Sequence, residues 1–217
     1  MPNSLITILA IGLVVMWVPV LLQGIWKKVP VWKTVVIALF LLAVGTLGAY
    51  LMSWWEEGRW GGRSYYGAVF LVLIACVPFS RLLGIPFFKL TDLSAPAGSA
   101  MLALMRVKCY MDDCCSGRVI YRNAEGVATY FPNQLVELGV GLLLTVLLLT
   151  LSRKEKFRGT IYGWYLLLYG SARFVLNFFR WNLKPFLWII PSGTLWSMVA
   201  VILGIIWLRY AAKKQKA

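Results

Sequence analysis

The stretch "YGSARFVLNFFR" (residues 169–180) lies in an apolar run long enough to cross a bilayer, yet it carries two arginines and an asparagine. Ionisable side chains at membrane depth cost about 2.5–3.5 kcal/mol each on insertion scales, so they usually face a cavity or a partner. Tyr169, Arg173, Asn177 and Arg180 follow one another at intervals of three or four residues, the spacing of one helix face. The stretch therefore predicts a membrane helix whose polar face is turned towards the inside of a bundle.

The rest of the chain has the same apolar character. It has 217 residues, of which 60% are hydrophobic, more than a soluble domain of this length can use. Seven apolar runs approach the length of a membrane span: 5–26, 34–55, 66–83, 95–110, 133–151, 160–179 and 194–207. The fourth run is short and contains Pro96 and Gly98, so we expect it to be tilted or buried against neighbouring helices. The sequence predicts an all-α polytopic membrane protein with about seven transmembrane helices, in one integral membrane domain over residues 1–217.

The basic residues behind the net charge of +14 lie mostly in the segments between the apolar runs. Nucleic-acid-binding proteins instead gather basic residues on one face or arm of a soluble fold, so we expect no nucleic-acid partner. If the N-terminus is outside, the cytoplasmic segments 27–33, 81–89, 153–158 and 209–216 hold thirteen Lys and Arg residues, against six at 59–63, 108–122 and 184. The positive-inside rule then predicts an outside N-terminus and a cytoplasmic C-terminus. The first run has no basic segment before it and is interpreted as a retained helix rather than a signal peptide.

The segment 111–132, "MDDCCSGRVIYRNAEGVATYFP", is too polar to cross the membrane. We expect it to form a small outward cap inserted between the fourth and fifth helices. Within it, "VIYRNAEGVATYF" alternates between apolar and polar residues and predicts a β-hairpin with its turn at residues 123–126.

Three cysteines, Cys109, Cys114 and Cys115, lie at the start of this cap beside two aspartates. Three thiols outside the cell can form one disulfide and leave one free, so a bridge from Cys109 to Cys114 or Cys115 is the leading interpretation. Zinc with an aspartate as the fourth ligand is an alternative, but the spacing is unusual and the chain has no histidine, so we expect no metal site. A reactive thiol is a third possibility, whereas Cys76 is interpreted as core packing.

Polar residues on three helices are expected to meet. Gln134 and Glu137 share a face of the fifth run, Arg106 ends the fourth and Arg173 lies in the sixth. Two guanidinium groups with one carboxylate leave an excess of positive charge, and guanidinium forks suit phosphate, so the pattern indicates an anionic lipid headgroup as ligand. One alternative is that Arg173 only pairs with Glu137 to hold two helices together, while Arg180 lies at the outer interface. Another is that Glu137 is only a carboxylate at a helix N-terminus, where the helix dipole favours it.

Five blocks along the chain resemble, in order, those of the prolipoprotein diacylglyceryl transferase family. "GGRSYYG" (61–67) resembles the family's Gly-Gly-x-Ser-Phe-His-Gly, and "FPNQLVE" (131–137) is similar to its His/Tyr-Pro-Ser-Gln-Leu-Tyr-Glu. "YGSARFVLNFFR" resembles Tyr-Gly-x-x-Arg-Phe-x-x-Glu-Phe-x-Arg. The other two blocks are "DLSAPAGSAMLALMRVKCYMDDCCSG" (92–117) and "PSGTLWSM" (191–198). The resemblance covers most of the chain.

The resemblance implies a multi-pass enzyme of the bacterial inner (plasma) membrane. It would transfer diacylglyceryl from phosphatidylglycerol to the lipobox cysteine of a prolipoprotein signal peptide, releasing glycerol phosphate without a cofactor. Arg106 and Arg173 would grip the headgroup phosphate, and Tyr66 would be the third catalytic residue. Close backbone approach would be the role of Gly117. The substrate-binding residues implied are Arg63, Gly117, Gln134, Glu137, Tyr169, Asn177 and Arg180.

The sequence departs from the family pattern at four positions. Tyr66 stands for a histidine, Cys109 for an asparagine, and Cys114 and Asn177 each for a glutamate. The phosphate-gripping residues are therefore retained, while the proton-handling residues are replaced. Two further hypotheses follow: a non-catalytic phospholipid-binding or divergent lipid-group transfer protein on the same scaffold, and a thiol-redox membrane protein built on the three cysteines.

Overall fold

The computed structural model describes residues 2–58, 64–124, 126–180, 185–186 and 190–216. Seven α-helices form most of this part of the chain: α1 (Pro2–Trp26), α2 (Val31–Glu57), α3 (Tyr65–Leu83), α4 (Phe87–Met111), α5 (Asn133–Ser152), α6 (Ile161–Asn177) and α7 (Ser192–Lys216). A 3-10 turn at Glu155–Phe157 precedes α6. The predicted all-α architecture of about seven helices is confirmed.

Four of the described helices are long and apolar enough to cross a membrane, namely α2, α3, α5 and the Ser192–Lys213 part of α7. The Ala10–Trp26 part of α1 is a shorter apolar helix. The more polar helices α4 and α6 lie inside the bundle, where α4 packs against α1, α3, α5 and α6, and α6 also packs against α5 and α7. Helices surrounded by other helices can carry polar groups that lipid would exclude. The protein is a multi-pass membrane protein.

The predicted bounds of the fourth helix were wrong. The helix begins at Phe87, not at residue 95, and continues through Pro96 to Met111. Polar residues interrupt the apolar run here, but they are buried and satisfied: Thr91 Oγ1 donates to Phe88 O and Ser94 Oγ donates to Thr91 O. The bounds of the last helix were also too narrow, because α7 runs from Ser192 to Lys216.

The start of α6 is fixed by a buried carboxylate of α4. Asp92 accepts hydrogen bonds from the backbone N–H groups of Gly159 (2.6 Å) and Ile161 (3.0 Å), and Lys27 Nζ lies 3.8 Å from it. A negative group at a helix N-terminus satisfies its unpaired donors and its dipole. Close packing continues along α6, since a Cβ on Gly204 of α7 would lie 3.0 Å from Gly163 O. These contacts set the rotation of α6, and with it the direction of its polar face.

The cap between α4 and α5 contains the predicted hairpin. Strand β1 (Val119–Arg122) pairs antiparallel with β2 (Ala128–Tyr130), and Asn123 Oδ1 accepts from Val127 N at 2.7 Å in the turn. The cap docks on the end of α6 through a hydrogen bond from Arg118 N to Phe179 O (2.8 Å). A second pair, β3 (Pro185–Phe186) with β4 (Ile190–Pro191), precedes α7 and was not predicted.

Candidate active site

The centre of the site is the carboxylate of Glu137, whose residue is 1% exposed. Its Oε1 accepts hydrogen bonds from Arg173 Nη1 and from Asn133 Nδ2, the latter at 2.9 Å. Its Oε2 lies 2.6 Å from Arg106 Nε, an ion pair without the alignment of a hydrogen bond. The structure thus brings together the three charged residues that the sequence placed on α4, α5 and α6.

A third guanidinium joins this cluster. Arg180, half-buried just after α6, lies close enough to Arg106 and Arg173 for their charges to interact. Burial lowers the pKa of Arg180, and the positive charge of Arg106 adds to this effect. Three guanidinium groups outnumber the single carboxylate of Glu137, so positive charge is in excess. Such a site is complementary to an anion.

Buried tyrosines lie beside the arginines. The Tyr66 hydroxyl is 2.8 Å from Ser197 Oγ of α7, and its ring centroid is 5.5 Å from that of Tyr169. The Tyr169 ring also packs edge-on against Tyr65, with centroids 5.1 Å apart. Tyr66 interacts electrostatically with Arg173, and Tyr169 with Arg106 and Arg180. Both tyrosines for which the resemblance implies a role therefore lie beside the arginine cluster.

Asn177 presents an unsatisfied acceptor. Its side chain is buried, and Oδ1 has no hydrogen-bond partner among the described residues, while Nδ2 donates to Thr194 Oγ1 at 3.4 Å. A Cβ built on Gly193 would lie 3.4 Å from the same amide. Buried polar atoms are nearly always paired, so an orphaned acceptor beside a charged cluster is suited to a ligand donor.

Gln134 and Gly117 hold the cap in place. Gln134 Nε2 donates to Cys114 O at 2.7 Å, which ties α5 to the cap. Gly117 forms a β-bridge with Arg180, and a Cβ there would lie 2.6 Å from Phe131 Cβ. The close approach expected at Gly117 is therefore made by Phe131 of the same chain. Arg63, the remaining predicted site residue, lies outside the described residues.

Sequence reasoning missed Asn133, Thr194 and Ser197. A local signal existed for Asn133, because it stands four residues before Glu137, at the spacing that brings side chains together on a helix. Thr194 and Ser197 lie in the family-like block 191–198, but no local spacing links them to the site. They reach it through the contacts of α7 with Asn177 of α6 and Tyr66 of α3.

The three cap cysteines are free thiols whose sulfur atoms all lie within 4.8 Å of one another. Arg106 Nη1 is 3.7 Å from Cys109 Sγ, which connects them to the arginine cluster. A hydrogen bond from Cys109 lowers the pKa of the Cys115 thiol to about 5, with Arg180 and Arg106 acting in the same direction, whereas burial raises the pKa of Cys114. The disulfide stays a prediction that intact-mass measurement under oxidising conditions would test.

Comparison with known proteins identifies relatives of the chain. Residues 4–210 match the family model described as prolipoprotein diacylglyceryl transferase. Proteins named phosphatidylglycerol–prolipoprotein diacylglyceryl transferase are similar in Oleidesulfovibrio alaskensis (29% identity over 72% of the chain), Geobacter sulfurreducens (32% over 60%) and Janthinobacterium (30% over 72%). These alignments span 62%, 51% and 64% of the relatives' own lengths. The chain belongs to the prolipoprotein diacylglyceryl transferase family.

Proposed function

We propose that this member of the family transfers a diacylglyceryl group from phosphatidylglycerol to the lipobox cysteine of a prolipoprotein and releases glycerol phosphate. The names of the relatives contain both substrates. The observation that carries the proposal is the buried cluster in which Glu137 contacts both Arg106 and Arg173.

The cluster suits a lipid phosphate. Glu137 engages Nε of Arg106 and Nη1 of Arg173, so each guanidinium keeps further N–H donors for a second anion. The excess of positive charge means that a phosphodiester would be attracted rather than repelled despite the carboxylate. In this role Glu137 orients the two forks and the phosphate takes their remaining donors.

The same arrangement supports the departure of the phosphate. In the reaction, the acceptor thiol gives its proton to water and its sulfur bonds to the glyceryl carbon. The carbon–oxygen bond breaks, and its electron pair moves to the phosphate. The phosphate gains one negative charge as it leaves. Arginines fixed beside it therefore bind the departing group more strongly than the substrate, which lowers the barrier.

The headgroup glycerol has a matching acceptor in the site. Asn177 Oδ1 is buried without a partner among the described residues, so it is available to a headgroup hydroxyl. Tyr169 lies on the same face of α6 and packs against Tyr65 and Tyr66, where it would limit the space for the headgroup. Tyr66 would act next to Arg173, with its hydroxyl oriented by Ser197.

The proposal includes location and orientation: a bacterial plasma membrane, with the cap and the site on the outer side and the C-terminus in the cytoplasm. The orientation can be tested by labelling the cap, because the thiol of Cys115 is exposed there. Intact spheroplasts are first treated with a membrane-impermeant reductant and chelator, which free the thiol of Cys115. A membrane-impermeant maleimide should then label Cys115 but leave a Cys115→Ser variant unlabelled at that position. Labelling only after lysis would reverse the orientation.

A turnover assay tests the function. The purified protein in detergent is given phosphatidylglycerol and a lipobox peptide, and both glycerol phosphate release and peptide mass are followed. Arg106→Ala and Arg173→Ala should abolish release, whereas Arg81→Ala, an exposed arginine at the other end of the bundle, should not change it. Release that persists in both site variants would refute the proposed role of the arginines.

A second candidate, phospholipid binding without turnover, is favoured by the chemistry of Tyr66. A phenol, with an ordinary pKa of about 10, accepts a proton poorly near neutral pH. The Tyr66 hydroxyl is moreover already paired with Ser197. In the same assay this function gives arginine-dependent binding of phosphatidylglycerol with no release of glycerol phosphate and no gain in peptide mass.

A further inference from the structure

Three sulfur atoms of the cap form a compact cluster that the transfer reaction does not use. Cys109 lies in the last turn of α4, while Cys114 and Cys115 follow in the loop, and their Sγ atoms are all within 4.8 Å of one another. The three thiols are free, and Cys115 is exposed. The cluster is therefore reachable from solvent.

The backbone is folded so as to bring these thiols together. Cys114 N donates to Cys109 O at 3.0 Å, which closes the turn after α4. Asp113 (φ 47°) and Cys115 (φ 65°) both adopt the left-handed conformation that residues with side chains rarely take. Gln134 of α5 then fixes the loop by its hydrogen bond to Cys114 O. Left-handed residues held by surrounding contacts are common at ligand sites.

The size of the cluster suits a thiophilic cation. With zinc–sulfur bonds of about 2.3 Å, the sulfur atoms of a tetrahedral site stand roughly 3.8 Å apart. Sulfurs that already lie within 4.8 Å need to close by only about 1 Å to reach this spacing. A disulfide, by contrast, would use two of the three sulfurs and leave the third without a role.

The charges around the cluster also fit. Three thiolates and a divalent cation carry a net charge of −1. Arg106 Nη1 lies 3.7 Å from Cys109 Sγ, and Arg180 interacts electrostatically with Cys115, so two cations face this anion. Of the two neighbouring aspartates, Asp112 pairs with Lys108 at 2.7 Å, and Asp113 is not part of the cluster. The fourth position is left for water.

We propose that Cys109, Cys114 and Cys115 bind a thiophilic divalent cation of the zinc class, which joins the end of α4 to the cap. The proposal does not rest on the proposed transfer reaction, and its test does not measure turnover. The metal would hold the backbone that carries Arg106 against the cap, so it stabilises the folded protein.

Cobalt titration tests the proposal. The purified protein is kept reduced with a phosphine, freed of metal with a chelator and titrated with Co²⁺, whose thiolate charge-transfer absorption reports sulfur ligation. One equivalent should bind, and Zn²⁺ should displace it. Loss of a residue that only orients a metal ligand weakens metal binding 10–100-fold. Loss of a ligand itself should cost more, so we expect each of Cys109→Ser, Cys114→Ser and Cys115→Ser to weaken Co²⁺ binding by at least about 100-fold. Cys76→Ser, in the buried core of α3, is the matched control and should bind as the parent does.

Thermal unfolding gives a second readout. Zn²⁺ should raise the melting temperature of the parent and of Cys76→Ser, but not that of Cys115→Ser, whose change lies in an exposed loop and leaves the bundle intact. Absence of charge-transfer absorption, or equal absorption in Cys115→Ser, would overturn the proposal. So would a disulfide among the three cysteines that forms in the presence of Zn²⁺.

Discussion

Replacing Glu137 by glutamine removes the carboxylate that Arg106 and Arg173 share and keeps the shape of the side chain. Arg106 and Arg173, both 7% exposed, would then lie next to each other without a counter-charge. Breaking a buried ion pair costs about 3–5 kcal/mol, and the glutamine oxygen keeps part of the hydrogen bonding, so we expect a loss near 3 kcal/mol. For a chain of this length that corresponds to a fall in melting temperature of about 6–12 °C.

The same substitution should increase the effect of an anionic lipid. In the variant, a phosphate meets three guanidinium groups and no carboxylate, so it replaces the missing counter-charge. Phosphatidylglycerol should therefore raise the melting temperature of Glu137→Gln more than that of the parent, whereas zwitterionic phosphatidylcholine should not. Melting in detergent micelles, with and without each lipid, measures both effects.

The matched control is Glu155→Gln, which removes an exposed carboxylate 3.4 Å from Arg158 at the other end of the molecule. Surface pairs contribute about 0–1 kcal/mol, so its melting temperature should stay close to that of the parent. The reasoning is refuted if Glu137→Gln melts like this control without lipid, or if phosphatidylglycerol shifts both variants equally.

Three further predictions concern the arginine fork, the cap and its thiols. Arg173→Lys keeps the charge but loses the planar fork, so glycerol phosphate release should fall at least about tenfold; unchanged release would mean that charge alone suffices. Gly117→Ala should destabilise the protein by about 1–3 kcal/mol in thermal unfolding, because the added Cβ would lie 2.6 Å from Phe131 Cβ. The control is Gly139→Ala in α5, where an added Cβ has nothing within 4 Å and should be neutral or stabilising. In reduced, metal-free protein, the pKa of Cys115 near 5 leaves its thiol ionised above that pH, so its alkylation rate should be nearly constant from pH 6 to 8. A rate that rises about tenfold per pH unit, as for an ordinary thiol, would contradict the lowered pKa.

The sequence by itself determined the helices and the polar face of α6. Apolar runs of bilayer length predict spanning helices because unpaired backbone groups are too costly in lipid. The spacing from Tyr169 to Asn177 places these side chains on one face whatever the neighbours are. The hairpin of the cap was likewise predictable, because β-alternation and a turn are local features.

The tertiary structure decided which residues meet. The start of α4 at Phe87 could not be predicted from hydropathy. The polar residues of its first turns are buried among other helices and satisfied by hydrogen bonds, which only the packed bundle shows. The pairing of Tyr66 with Ser197 and the gathering of the three cap thiols depend on the rotation and packing of separate elements. Local spacing fixes the direction in which a side chain leaves its own helix, but its partner is set by contacts between residues distant in the chain, and these exist only once the bundle has packed.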